Sequence, residues 1–231
     1  MKIWNRALKG AIFTGILASI LTAGCGGIIN VPASVQLRGV NAMANLPAAT
    51  IGASGAPLLA AGAYTASGSY ITFNSNPAMG FVLLNGAVQL TTATFDTTTA
   101  DHFTAYASNT LATPHLILIP DDLTDPGAGN GRIKIVNLSP TASTVDVYIT
   151  APGADISATP PSLSNLTFET AQTTIRLAAT LEVRVTSAGT KTVLVDYAFG
   201  ALASGDIKTL LVLDASGGGS PEQIIALNDK S

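Results

Sequence analysis

RIKIVNLSPTASTVDVYIT, residues 132–150, sets two strand-like runs on either side of a turn built on Ser139-Pro140. In the second run Val145 and Val147 fall on one face of a strand. Asp146 and Tyr148 fall on the other, because strand side chains alternate with a period of two. Working outward, further short runs follow: LTFET, QTTIRL, LEVRVTS, KTVLVDYAF, DIKTLLVLD and EQIIAL. Upstream come SVQLRGVN, SYITFN, MGFVLLNG, VQLTTATFD, HFTAYAS and HLILIP. In SVQLRGVN, Val35, Leu37 and Gly39 share a face. Turn formers such as Asn85-Gly86 and Asn74-Ser75-Asn76-Pro77 separate the runs. Strands at this spacing, rich in Thr, Val and Ala and poor in charge, predict an all-β protein of sandwich type.

The two series repeat one plan. Val40-Asn41 matches Val136-Asn137. Tyr64 and Ile71 match Phe168 and Ile175. Met79, Phe81 and Leu83 match Leu181, Val183 and Val185. Asp101 and Thr104 match Asp206 and Thr209, Pro114 matches Pro221, and Asp122 matches Asp229. A repeat of about 105 residues is close to one seven-strand immunoglobulin-like antiparallel β-sandwich. The expectation is two tandem immunoglobulin-like sandwich domains after a signal peptide, over 33–122 and 131–231. Residues 123–130 form the linker, within the turn-forming stretch DDLTDPGAGNG at 121–131.

The start of the chain has a separate logic. Lys2, Arg6 and Lys9 precede an apolar run, AIFTGILASILTAG, of about fourteen residues. That is too short for a membrane-spanning helix and suits the core of an export signal. Small residues then lead to Cys25, the one cysteine of the chain. LTAGCGG resembles the lipobox of bacterial lipoproteins, with Thr22 three places before the cysteine and Leu21 one place earlier. The resemblance implies cleavage of residues 1–24, acylation of Cys25 with palmitate-type chains, and a tether over 25–32. Two or three such chains hold a protein on a bilayer stably. Gly26, where retained inner-membrane lipoproteins have Asp, implies the outer membrane.

Composition narrows the partners. Without residues 1–24 the chain has eight Lys plus Arg against fourteen Asp plus Glu, a net charge of about −6. No basic patch is present, which argues against nucleic acid. With its single cysteine assigned to lipid, the chain has no intramolecular disulfide to form. Its stability rests on burial, for which about 200 residues suffice.

Few residues suggest chemistry. His102 and His115 each lie near the start of a strand-like run and have no histidine counterpart in the second half. No ligand spacing for zinc, no phosphate-cradling loop and no nucleophile elbow is present. Neither a metal nor a cofactor is expected, and no catalytic residue is assigned. A Ser/His/Asp triad converges only in three dimensions and stays open at this level. Asp146 has two readings: a carboxylate facing solvent or bonded to backbone near the Ser-Pro turn, or a ligand contact. Asp121, Asp122 and Asp125 read as a solvated hinge or as a calcium site stiffening tandem modules. Tyr64, Tyr70, Tyr106, Tyr148 and Tyr197 are either packing residues or a binding platform.

Finally, RIKIVNLSPTASTVDVYITAPGADI, LTFETAQTTIRL, LEVRVTSAGTKTVLVD and LLVLDASGGGSPEQIIAL closely resemble a bacterial envelope domain, domain of unknown function 4397. Its hallmark, a strand, an N-x-S-P turn and a V-D-V-Y strand, corresponds to Asn137, Ser139, Pro140 and Val145 to Tyr148. The resemblance implies an immunoglobulin-like sandwich, often in tandem in lipoproteins, and makes Asn137, Ser139, Pro140, Asp146 and Tyr148 a ligand-binding or structural motif. It is good over 131–229 and reaches 33–122 only through the repeat. In the first copy VNAMANLPAATIG lacks Ser-Pro, and Thr50 replaces Asp146, so a function of the hallmark would be lost there. The reading is a lipid-anchored, non-enzymatic binding or structural module whose partner is an envelope or extracellular protein or glycan. The alternative is a surface adhesin or carbohydrate/protein ligand-binding lipoprotein, and the third is a hydrolase.

Overall fold

The computed structural model describes residues 33–230. The signal peptide, the lipid-attachment residue Cys25 and the tether over 25–32 lie outside the described residues. Among the described residues every regular element is a strand. The first half contains β1 (Ser34–Asn41), β2 (Ala49–Ala53), β3 (Ala56–Gly62), β4 (Ile71–Asn74), β5 (Met79–Asn85), β6 (Val88–Phe95), β7 (His102–Thr110) and β8 (Thr113–Pro120). The second contains β9 (Asn130–Asn137), β10 (Thr144–Thr150), β11 (Leu163–Thr167), β12 (Thr170–Leu177), β13 (Ala179–Ser187), β14 (Val193–Leu202), β15 (Ile207–Leu213) and β16 (Gln223–Lys230).

The sheet orders are β4-β1-β7-β8 and β3-β2-β5-β6, then β12-β9-β15-β16 and β11-β10-β13-β14. Adding eight to each strand number of the first half gives the second, so the repeat legible in the sequence is a repeat of topology. Each half is a sandwich of two four-stranded sheets. The expected seven strands are eight. The pairing is antiparallel except where β1 meets β7 and β9 meets β15, both parallel.

Each sandwich closes on its own apolar core. Val35, Leu37, Ile51, Phe81, Leu83 and Phe103 fill the first, and Ile133, Ile135, Val145, Val147, Val183 and Val185 the second. Gly39 lies on the Val35-Leu37 face as the alternation requires. A side chain there would sit 3.1 Å from the Cβ atoms of both Leu58 and Leu59.

Three local expectations are corrected. LTFET is a corner rather than a strand: β11 ends at Thr167, Glu169 has φ +62°, and β12 begins at Thr170. The hairpin β2–β3, built from Ala- and Gly-rich sequence of low β propensity, has no strand-like signature. The matched pairs also slip. Ile71 pairs with Leu37, and the equivalent Ile133 pairs with Thr174, not Ile175. Thr104 stands opposite Ile119 and Thr209 opposite Leu227, so the partner of Asp229 in the repeat is Asp121, not Asp122.

A fully buried asparagine organises each half. Asn137 donates through Nδ2 to the carbonyls of Ala142 (2.8 Å) and Leu166 (3.3 Å), and its Oδ1 accepts from the Ser139 N–H at 3.2 Å. Asn41 repeats this with Leu46 (2.8 Å), Gly62 (3.1 Å) and the Met43 N–H (3.1 Å). The backbone carbonyls of Asn41 and Asn137 accept from Thr65 and Glu169, both at positive φ. One side chain thus ties the β1–β2 or β9–β10 loop to the end of β3 or β11. Asn41→Ala and Asn137→Ala are each expected to cost about 3 kcal/mol, since several buried backbone groups lose their partner. Urea unfolding of the two variants checks this, and the losses should be similar.

Candidate functional site

The hallmark residues converge at one loop of the second sandwich. Ser139 Oγ accepts from the Ala142 N–H at 3.0 Å and donates to Asp214, which is buried just past the end of β15. Asp214 also accepts from Thr141 Oγ1 at 2.9 Å and from the Gly219 N–H at 2.8 Å. Pro140 lines a small cleft of about 270 Å³ beside Asn109, Asp214 and Gly217. Sequence reasoning misses Asp214. Its one signal is its place at the end of an apolar strand before ASGGGS.

Asp146 is 5% exposed, and it is not bonded to the Ser-Pro turn. Its two oxygens accept from the N–H groups of Asn165 and Gly189, each at 2.8 Å. In the first half Thr50 Oγ1 accepts from the Ala61 N–H at 3.0 Å. Ala61 and Asn165 both have positive φ. Thr50 therefore keeps half of what Asp146 does, and the first copy retains that part of the motif. Tyr148 is buried. Lys191 Nζ lies 4.4 Å from its ring centroid and donates to its hydroxyl at 2.9 Å.

Four further charged residues, Arg38, Asp121, Lys134 and Asp229, meet where the two sandwiches join. Sheets β4-β1-β7-β8 and β12-β9-β15-β16 turn their second faces to each other across an apolar seam of Val40, Tyr106, Val136, Leu138, Leu211 and Leu227. Within it Arg38 pairs with Asp229, and Lys134 with Asp121. All four side chains are at most 7% exposed. Thr104 donates to Asp121 (2.7 Å) and Thr209 to Asp229 (2.6 Å), while Arg38 Nε donates to Thr104 at 2.8 Å. Tyr70 donates to Asp121 at 2.9 Å and lies under the Arg38 guanidinium, 4.7 Å away. Burial alone would lower the Arg38 pKa, but Asp229 and Asp121 outweigh it and raise it. Burial, reinforced by Asp121, pushes the Tyr70 phenol far above its ordinary range.

The acidic stretch after β8 is therefore split. Asp121 belongs to the seam. Asp122 accepts from Thr124 and pairs with Arg132 at 3.1 Å, and the hydrogen bonds from Thr124 hold its pKa below the usual carboxylate value. Asp125 accepts from the Gly127 N–H at 2.9 Å. Among the described residues no group of three or more acidic, histidine or cysteine side chains converges as a metal site.

Across the seam, Glu169 Oε1 accepts from Ser108 Oγ and lies 2.8 Å from His115 Nδ1. The residue types are those of a hydrolase triad, but the order is wrong. The carboxylate stands between serine and histidine, so the imidazole is not placed to take the serine proton. Tyr64 donates to the Asp214 carbonyl at 2.6 Å at the opposite end of the seam, and burial raises its pKa to about 12. Tyr106 is fully buried in the seam, and Tyr197 packs edge-on to Phe199. The five tyrosines are dispersed and form no common platform.

A cavity of about 580 Å³ opens beside the Lys134–Asp121 pair. Asp101, His102, Leu123, Arg132 and Thr173 line it. Its counterpart about the seam, of about 360 Å³, lies beside Arg38, Ser69, Tyr70 and Asn228.

Residues 35–148 match the model of the family described as domain of unknown function (DUF4397), the family that the residues resemble. The sequence reading places the resemblance over 131–229 and reaches 33–122 only through the repeat; the match instead runs through the first sandwich and into β10, ending at Tyr148. No curated protein matches the chain. Among solved structures, one titled for alpha-glucan binding by a streptococcal virulence factor is similar at 9% identity and a TM-score of 0.28, covering 78% of this chain and 92% of that one. A family 26 carbohydrate-binding module of Eubacterium rectale Amy13K, in complex with maltoheptaose, is similar at 10% identity and a TM-score of 0.26, covering 85% and 98%. Likenesses this low bear on neither ligand nor partner.

The seam makes its own prediction. Lys134→Met leaves the buried Asp121 without its hydrogen-bonded cation, with Arg38 4.0 Å away as the remaining one, and is expected to cost about 3 kcal/mol. The double variant Lys134→Met/Asp121→Asn should cost less than the sum of the single losses. Denaturant unfolding of the three chains checks the coupling.

Proposed function

We propose that this chain is a non-catalytic module of the bacterial envelope, held to a membrane by lipid on Cys25, whose paired sandwiches bind or brace a protein or glycan partner. One observation carries the reading. The side chains best suited to chemistry, Ser108, Ser139, Asp121, Asp146, Glu169 and Asp214, are each bonded into the fold. Groups used in this way hold a rigid body and leave surface clefts as the route to a partner. The lipobox-like start supports the anchor, and Gly26 supports the outer membrane.

A ligand-binding reading draws support from the cavity beside the Lys134–Asp121 pair. Asp101, His102 and Thr173 on its wall are donors and acceptors suited to sugar hydroxyls. Retardation of the chain from residue 26 onward in native gels containing soluble polysaccharides tests it. Retardation abolished by Asp101→Ala or His102→Ala supports this reading, and uniform migration removes it.

For the leading reading, cells fed labelled palmitate should label the wild-type chain and not Cys25→Ala, and the variant should leave the membrane fraction. Labelling of Cys25→Ala would refute the anchor. Turnover in a broad hydrolase screen, lost on a single substitution, would refute the non-catalytic role.

A further inference from the structure

The two ion pairs of the seam are copies of one another. Arg38 on β1 stands opposite Thr104, and Lys134 on β9 stands opposite Thr209. Asp121 and Asp229 each come two residues after the residue opposite that threonine, Ile119 and Leu227. Each cation bonds the aspartate of the other half. The apolar surround repeats the pattern: Val40 with Val136, Ile117 with Ile225, Ile119 with Leu227. Where the copies differ they compensate. Ala42 beside Tyr106, one small and one large residue, matches Leu138 beside Leu211, two of middle size. A contact in which residue i meets j and j meets i is that of a two-fold dimer. Here it is closed within one chain.

The halves share no strand. They are joined by the segment after Pro120, in which Asp125, Gly127, Ala128 and Gly129 are exposed. Gly127 and Gly129 have φ of +92° and +77° and supply the conformational freedom a hinge needs. The geometry points to a second copy of this chain as a partner. The two chains exchange halves across the seam, the first half of each docking on the second half of the other, in a closed dimer. Such a dimer keeps every cross-seam pair of the monomer and alters only the linker. A short flexible linker gives an effective concentration on the order of mM. The wild-type chain is therefore monomeric at micromolar concentration and pairs when its own seam is blocked or its local concentration is high.

Charge reversal tests this on the full chain. Arg38→Asp sets a new carboxylate against the native Asp229. Asp229→Arg sets a new guanidinium against the native Arg38. Each variant therefore repels its own seam, and neither is expected to dimerise alone. Mixed, they bring the introduced aspartate of one chain against the introduced arginine of the other. The second seam of the same dimer keeps a native Arg38–Asp229 pair. Light scattering after size exclusion should then show a dimer containing one copy of each. The double variant Arg38→Asp/Asp229→Arg restores its own pair with the charges exchanged and should stay monomeric. Two folded monomers persisting in the mixture, or a dimer of either variant alone, would overturn the proposal. If a variant fails to fold alone, both are refolded together from urea. A soluble, β-rich mixed dimer supports the exchange, and aggregation of the mixture counts against it.

Discussion

Arg38 reaching Asp229 and Lys134 reaching Asp121 are the contacts on which the rest of the molecule depends. Four charged side chains taken out of water carry a large desolvation cost, which only near partners and further hydrogen bonds offset. Within its own half Arg38 has Asp121 no closer than 4.0 Å. Its hydrogen-bonded carboxylate comes from the other sandwich. The network therefore ties the packing of each half to the presence of the other, and the described residues form one compact unit. The inner strands β1, β7, β9 and β15 are consequently buried on both faces over most of their length. β1 and β9 are almost continuously buried where an isolated sandwich would alternate.

The hallmark gains a physical meaning from the same frame. Asn41 and Asn137 stand where the inner sheet hands the chain to the outer one, and every polar atom of the side chain is used there. Leucine has the volume but none of the bonds, and aspartate lacks the donors. Asp146 and Thr50 solve a neighbouring problem. Each accepts the N–H of a residue held at positive φ, where the ladder is irregular. These are devices for building a sandwich, which accounts for their presence without a substrate.

Much of this is legible in the residues. The β class, the twofold repeat, the strand faces of Val35-Leu37-Gly39 and Val145-Val147, and the turn at Asn85-Gly86 follow from period-two alternation and turn chemistry. The seam is not. Arg38 and Lys134, each on the second face of a half-apolar strand, have the pattern of solvated residues. Nothing local distinguishes a charge facing water from one facing an aspartate on the other sandwich. The Asp121/Asp122 slip has the same origin, since two adjacent carboxylates differ by one step of register, which only the partner strand fixes. The β2–β3 hairpin is hidden because small Ala and Gly side chains let the sheets approach at Gly39 while carrying no strand signal.

Symmetry at the centre of the seam gives way to asymmetry at its ends. His115 corresponds in register to Gln223, and Ser108 to Leu213, since Ser108 stands opposite His115 and Leu213 opposite Gln223. One end holds Glu169 between Ser108 and His115. The other has Tyr64 and Gln223 bonded to the Asp214 carbonyl. If two second halves met, Glu169 would face Leu213 and Gln223 and lose its serine and histidine partners. Two first halves would leave Ser108 and His115 facing Thr65. The central charges permit any pairing of halves, while the ends favour first against second. Selectivity of that kind comes from polar groups satisfied in only one arrangement, and it orders the tandem copies without altering the charges that hold them.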